Sequence, residues 1–323
     1  MKTRDLILKF LKRNIDNWVS GEYISKELNV SRAAISKHIS SLKKMGYIIE
    51  SLPRKGYSLK ESDLLLPDEI YDGLQTKTLG KKVVFFDETD STNIKARDLA
   101  EEGAEEGTIV IAESQTMGRG RKGRSWYTGK GSGIFLSLIL RPPLAPTEVA
   151  ITTLMTAIAM VEAVKSVTKV EPKIKWPNDL LLGGKKICGI LTEVSTEMDS
   201  VNYIIVGIGI NINTEAVSFP KEIKNIATSL HIETGEKFKR KLITQSFLKS
   251  FEKLYNILKN RNFNHIMKEW KKHSDMIGKR VEIEIFERKI KGVVEDIEDD
   301  GVLRVCSDDG SIERIISGDI HFV

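Results

Sequence analysis

Cysteine and histidine are scarce in this sequence, and several chemistries go with them. Cys188 and Cys306 are isolated, without metal-ligand spacing, and two thiols make a weak case for a disulfide. The five histidines are scattered, so no histidine-based metal site is expected, and none built from other side chains. No run of about 18 apolar residues is present, so no transmembrane helix and no membrane partner are expected. The stretch Met1-Lys-Thr-Arg-Asp-Leu lacks the apolar core of a signal peptide. Together these absences predict a cytoplasmic protein.

What is present is an ordinary globular composition with an uneven charge. The 323 residues, 41% of them hydrophobic, allow two or three domains. Residues 1–60 carry 13 Lys and Arg against 5 Asp and Glu, a net of +8, while the whole chain is only +5. The positive charge is therefore concentrated in the first domain, as nucleic acid would require.

That first domain reads as a winged helix-turn-helix. Leu6, Ile7, Phe10 and Leu11 mark a helix, and Ser20-Gly21 caps a second one running to Leu28. Ser31 caps a third, Arg32 to Met45, with Ile35, Ile39 and Leu42 on its apolar face. Arg32, Ser36, Lys37, Ser40 and Lys43 lie opposite, suited to base edges and phosphates. Two short strands follow, joined by the basic turn Pro53-Arg54-Lys55-Gly56. The candidate DNA contacts are Ser31, Arg32, Ser36, Lys37, Ser40, Arg54 and Lys55. The competing reading is a protein-docking winged helix; the basic third helix favours DNA.

The most chemically loaded stretch is Gln115-Thr-Met-Gly-Arg-Gly-Arg-Lys-Gly-Arg-Ser-Trp126. Gly118, Gly120 and Gly123 allow close backbone approach, and Arg119, Arg121, Lys122 and Arg124 supply fixed charge. Such a loop wraps an anion, or else forms a basic nucleic-acid patch. It is not a P-loop, because no Gly-Lys-Ser/Thr follows, nor a dinucleotide fingerprint, because the strand Ile134–Leu140 comes after the loop.

Other polar groups stand at strand ends. Val83-Val-Phe-Phe runs into Asp90-Ser91-Thr92-Asn93 and a helix; on its own this triplet is simplest as a helix cap. A long apolar helix, Val149 to Val167, is expected against the sheet. Lys173-Ile-Lys-Trp-Pro-Asn-Asp179 ends a strand with Asn178 and Asp179. Gly183-Gly184 turns a hairpin into Lys185-Lys186-Ile-Cys-Gly189. Tyr203–Asn211 is apolar and ends with Gly207, Gly209 and Asn211. A loop at 214–224 and two helices, about Arg240–Lys259 and Asn264–His273, precede short alternating strands with an Asp309-Gly310 turn.

In this order, Asp90-Ser-Thr-Asn93, Gly118-Arg-Gly-Arg121, Lys175-Trp-Pro-Asn-Asp179, Lys185-Lys186-Ile-Cys-Gly-Ile190 and Gly207-Ile-Gly-Ile-Asn211 resemble the biotin–protein ligase family. The winged helix resembles that of its two-function bacterial members, which are also biotin operon repressors. The resemblance spans nearly the whole chain. It implies an α+β multidomain fold: a winged helix-turn-helix at 1–62, a linker at 63–82, a central α/β ligase domain on a mixed sheet at 83–276 (biotin/lipoate ligase type), and a small SH3-like β-barrel at 277–323. It implies a ligase that forms a C–N bond through an acyl-adenylate, using ATP, Mg²⁺ and biotin.

The same resemblance assigns residues. Arg121 and Lys186 are the catalytic cations. Ser91, Thr92, Asn93, Gln115, Gly118, Arg119, Gly120 and Gly189, with Arg121 and Lys186, are expected at biotin, which reverses the capping reading of the triplet. Arg119, Arg121, Trp126, Asn178, Asp179, Lys186 and Asn211 are expected at ATP or the adenylate, and 214–224 covers it. The implied partners are a biotin carboxyl carrier protein, operator DNA and, with adenylate bound, a second copy of the chain. Two alternatives stand beside this: a DNA-binding regulator with a ligase-like domain and no ligase activity, and a ligase for lipoate or another acid.

Overall fold

The computed structural model describes residues 3–285 and 288–323. The chain divides into two compact units, Met1–Leu64 and Leu65–Val323. In the first, helices α1 (Thr3–Arg13), α2 (Gly21–Leu28) and α3 (Arg32–Lys44) enclose Ile7, Leu11, Ile24, Ile35 and Leu42. The Ser20 and Ser31 hydroxyls accept from the Tyr23 and Ala34 N–H groups, capping α2 and α3. Asn29 ends α2 in the left-handed region at φ 51°. Strands β1 (Ile49–Leu52) and β2 (Gly56–Leu59) form the antiparallel wing. Its turn needs Gly56, at φ +100°, because a Cβ there would stand 2.0 Å from the Val19 carbonyl oxygen.

The second unit begins with α4 (Pro67–Tyr71) and is built on a seven-stranded mixed sheet. Strand β3 (Val83–Phe86) precedes α5 (Thr92–Glu101), followed by β4 (Ile109–Ala112) and β5 (Gly133–Leu140). Helix α6 (Val149–Thr168) leads to β6 (Lys173–Lys175), β7 (Asp179–Leu182), β8 (Lys185–Glu197) and β9 (Ser200–Asn211). The order across the sheet is β3-β4-β5-β9-β8-β7-β6; β3 and β4 are parallel and the other neighbours antiparallel. Every residue of β5 is buried, as its unbroken apolar run requires.

A short α7 (Leu230–Thr234) precedes α8 (Arg240–Lys259) and α9 (Phe263–His273). Helix α6 is long and apolar enough to cross a membrane by composition, yet it is a core helix packed against α8 and α9. The C-terminal strands are β10 (Arg280–Ile285), β11 (Arg288–Ile297), β12 (Leu303–Ser307), β13 (Ile312–Ile315) and β14 (Asp319–Phe322). They make an antiparallel sheet ordered β13-β12-β11-β10-β14, the C-terminal β-sheet element. The Trp176 indole N–H donates to the Gly301 carbonyl (3.0 Å), fastening this sheet to the core.

The segment expected as a linker is largely structural. Leu65, Leu66, Ile70 and Leu79 are buried. The Glu252 carboxylate on α8 accepts from the N–H groups of Lys77, Thr78 and Leu79. From Leu65 onward this stretch belongs to the second unit, because its apolar residues complete the face of α8.

Candidate active site and nucleic-acid interface

The polar triplet at the start of α5 does not cap it. Ser91 occupies the N-cap position without a side-chain cap bond. Ser91, Thr92 and Asn93 are all buried, and the latter two reach across the sheet. Gln115 Oε1 accepts from Thr92 N (2.7 Å) and Thr92 Oγ1 (3.1 Å). Ser137 Oγ lies 2.8 Å from Thr92 Oγ1 and donates to Asn93 Oδ1 at 2.6 Å. Asn93 Nδ2 donates to Glu193 Oε2 at 2.7 Å. A Cβ on Gly207 would lie 2.0 Å from Asn93 Oδ1, so that glycine makes room for the amide. The Gln115 backbone is held through Thr128 Oγ1, bonded to both its N–H and its carbonyl (2.9 Å each).

The Gly/Arg loop folds back on itself. Trp126 N donates to Gly118 O (2.9 Å), and Gly120 N to Arg124 O (2.7 Å). Lys122 and Gly123 take positive φ at the tip, 55° and 73°. The cations then diverge. Arg119 pairs with Glu193 Oε1 (3.2 Å), within the triplet's network. Arg121 donates to Asn178 Oδ1 (3.1 Å) and Ser317 Oγ (2.8 Å). Lys122 and Arg124 both bond Asp319 at the start of β14. Burial lowers the pKa of the Arg121 guanidinium, while Asp319 and Asp179 work the other way. Burial would raise the Asp319 carboxyl, but the bonds from Lys122 and Arg124 outweigh it and hold it below its ordinary value.

The floor of the site is a glycine pair. Gly189 on β8 faces Gly209 on β9, and Trp126 lies across both. A Cβ at Gly209 would come 2.4 Å from Trp126 Nε1, and one at Gly189 2.9 Å from the indole edge. The indole N–H is buried and has no hydrogen-bond partner among the described residues. Lys186 Nζ stands 5.4 Å from the centre of this ring and 2.7 Å from Asp179 Oδ1. Asn178 is clamped to Ile190, its amide donating to Ile190 O while Ile190 N donates to Asn178 O, both at 2.9 Å. Lys175 is half-buried beside this cluster, and burial lowers its pKa. Asn211 donates to Thr228 O (3.0 Å), and Thr228 N donates to Lys186 O (2.9 Å). Asn211 thus braces the lysine hairpin from behind.

The expected residues therefore fall into two groups. Ser91, Thr92, Asn93, Gln115 and Arg119 form one network with Glu193. Arg121, Asn178, Asp179, Lys186 and Trp126 gather over Gly189 and Gly209. From the 214–224 segment, Phe219 is buried against Tyr127, with ring centres 5.8 Å apart. A cavity of about 170 Å³ opens beside Arg121 and Asn178, lined also by Thr153, Thr192 and Ile316. A larger groove, about 490 Å³, runs past Glu148, Arg261 and Asp299, and none of the candidate site residues lines it.

Sequence reasoning missed Ser137, Glu193, Ser317 and Asp319. Ser137 had a legible signal, a lone hydroxyl inside an apolar strand. Glu193 also had one, since it shares a strand face with Gly189 by the two-residue period. Ser317 and Asp319 had none, because only the fold brings β14 to the loop.

In the first unit, Ser31, Arg32, Ser36, Lys37 and Ser40 are exposed along one side of α3, and Arg54 and Lys55 are exposed on the wing. Arg32 is paired with Glu22 (2.7 Å), both largely exposed. Ser40 Oγ donates to Ser36 O. Lys55 lies 6.0 Å from the Trp18 ring.

Three family models match the chain: an HTH domain at residues 3–58, the biotin/lipoate A/B protein ligase family at 85–211, and the biotin protein ligase C-terminal domain at 276–323. The bifunctional ligase/repressor BirA of Bacillus subtilis is 40% identical over 98% of both chains. The chain belongs to the bifunctional biotin ligase/repressor family. The Escherichia coli relative of the same name is 30% identical, over 93% of this chain and 92% of its own. The biotin protein ligase of Aquifex aeolicus, solved with biotin and ATP, superposes with a TM-score of 0.65 at 30% identity. It covers 75% of this chain and 99% of its own. The family's ligase, helix-turn-helix and C-terminal elements thus all have their counterparts in the fold described above.

Proposed function

We propose that this chain, in the cytoplasm, activates biotin with ATP and transfers it to a lysine of a biotin carboxyl carrier protein. The biotin carboxylate attacks the α-phosphorus, releasing pyrophosphate and leaving biotinyl-5′-AMP. The lysine amine then attacks the acyl carbon, AMP departs, and a C–N bond forms. The observation that carries this reading is the gathering of Arg121–Asn178 and Lys186–Asp179 over the Gly189–Gly209 floor beside Trp126. The first step joins two anions, and preorganised cations aimed at the developing charge are what such a step needs.

Arg121 and Lys186 are the catalytic cations. The uncharged ureido head of biotin is read by Ser91, Thr92, Asn93 and Gln115, with Arg119 beside them and Gly118, Gly120 and Gly189 admitting close approach. Trp126, Asn178, Asp179 and Asn211 serve the nucleotide, and the 214–224 segment covers it. Lys186 rests on Asp179, so an entering phosphate meets a lysine already held in place. Asp179 is a carboxylate fit to approach a magnesium ion held mainly by phosphate oxygens. When bound, that ion offsets negative charge on the triphosphate. The test is incubation with ATP, Mg²⁺ and either biotin or lipoate, with a carrier domain weighed by mass spectrometry. A mass gain with biotin is expected; no biotin transfer sinks the ligase reading and leaves a ligand-sensing regulator.

The chain also represses transcription, with biotinyl-5′-AMP as the ligand that promotes its pairing into a homodimer. Two winged helices then read a palindromic operator. Support comes from the exposed basic face of α3 and from full-length similarity to proteins named as ligase/repressors. Operator affinity and sedimentation are to be compared for the apo and adenylate-loaded protein at one salt concentration. Equal affinity in the two forms would end the repressor reading.

A further inference from the structure

Glu193 is a residue to which the reading above gives no role, yet within the first polar network it joins the triplet to the Gly/Arg loop. It sits on β8, on the same face as Gly189, with its side chain 30% exposed. One oxygen, Oε2, accepts from Asn93 Nδ2 at 2.7 Å; the other, Oε1, lies 3.2 Å from the Arg119 guanidinium. Asn93 is in turn held by Ser137 at its carbonyl end. We infer that Glu193 is a positioning residue for biotin: its carboxylate orients the Asn93 amide and fastens Arg119 of the Gly/Arg loop to the triplet. This inference rests on the assignment of biotin to that triplet.

The argument is one of hydrogen-bond polarity. An ionised carboxylate only accepts. Asn93 must therefore turn its NH₂ toward Glu193 and its carbonyl toward Ser137, which donates to it. A group at 193 that both donates and accepts removes that constraint, leaving only the longer bond from Asn93 Nδ2 to the Leu191 carbonyl (3.2 Å) to keep the amide from reversing. A neutral ligand head such as a ureido group is recognised only by the order of donors and acceptors around it, so a reversal costs affinity. The same carboxylate is the counter-charge of Arg119, a cation on an exposed loop with 43% side-chain exposure. Without it, that arginine keeps its charge and loses its anchor. Neither effect touches Arg121 or Lys186, so the nucleotide end should feel the change only through Arg119, and less than the biotin end does.

The test uses the full chain and three variants: Glu193→Gln, Arg119→Gln and the double variant. Biotin binding is measured by titration calorimetry, and KM for biotin, KM for ATP and kcat by adenylate formation. Glu193→Gln should weaken biotin by about ten- to a hundredfold, the range for a lost hydrogen bond to a charged group. KM for ATP should rise much less than KM for biotin, and the thermal midpoint should stay near the wild-type value. Arg119→Gln, an exposed change that leaves the core intact, should also weaken biotin. The double variant should fall short of the product of the two single effects, because the residues act as a unit. A merely structural Glu193 would move the thermal midpoint and both KM values together, and that outcome overturns the inference. So does full multiplicativity of the two changes, or unaltered biotin binding in Glu193→Gln. If the wild-type chain itself binds no biotin, the underlying assignment fails as well, and the two failures are thereby told apart.

Discussion

Arg121 leaves a loop pinned at Gly118 and Gly120 and reaches Asn178 on one side and Ser317 on the other. Its charge is permanent in any working buffer. In the proposed site, a fixed cation at this position would hold the adenylate's phosphate against loss once it has formed. Arg121→Gly removes the cation and frees the loop. The adenylate should then escape about ten- to a hundredfold faster, the range for a hydrogen bond to a charged group. Free biotinyl-5′-AMP, followed by chromatography and by biotin on bystander lysines, checks this; wild-type retention would count against the role of Arg121. Residue types at this site were readable because its chemistry needs permanent charge and small side chains, and these cluster visibly as Gly118-Arg-Gly-Arg121. The partners were less readable. That Arg119 turns to Glu193 while Arg121 turns to Asn178 follows from a loop fold and a strand register, neither of which spacing alone supplies.

At the scale of elements, the β8–β9 ladder makes the site, because it sets Gly189 opposite Gly209. Gly209→Ala would drive a methyl group into the Trp126 ring, at 2.4 Å from Nε1 and 2.5 Å from its neighbour Cε2. Overpacking of this kind costs about 1–3 kcal/mol. Because the indole borders the proposed nucleotide site, the expected result is adenylate binding weakened about tenfold with circular dichroism unchanged. Wild-type affinity in this variant would argue that the indole is free to move. The ends of β4 and α8 are joined differently. Arg240, 1% exposed, donates to Glu113 (2.7 Å) and to Gly133 O (3.0 Å). Arg240→Met strands a buried carboxylate and should cost about 3–5 kcal/mol of stability, read from urea denaturation. The long elements, α6, α8 and the apolar strands, were legible from periodicity. The packed stretch from Leu65 to Gly80 was not, because α4 is five residues long and its neighbours on α8 lie far along the chain.

For the whole molecule, charge separates two functions by sequence. The unit Met1–Leu64 holds the basic excess, and the residues gathered at the ligase site all lie in Leu65–Val323. Phosphate contacts release counterions, so each lost contact lowers the slope of log affinity against log salt by about one. Lys37 and Arg54 are exposed on α3 and the wing, and among the described residues no carboxylate pairs with either. Lys37→Ala and Arg54→Ala should each weaken operator binding and flatten the salt dependence by about one unit. Arg32 is already shared with Glu22, so Arg32→Ala should flatten it less. Biotin transfer to a carrier domain should be the same in all three variants, because none of them alters the unit that holds Arg121 and Lys186. Filter binding across a salt series, paired with the transfer assay on the same preparations, decides the matter. A salt slope unchanged by both Lys37→Ala and Arg54→Ala would mean that this basic face is not the one that meets DNA.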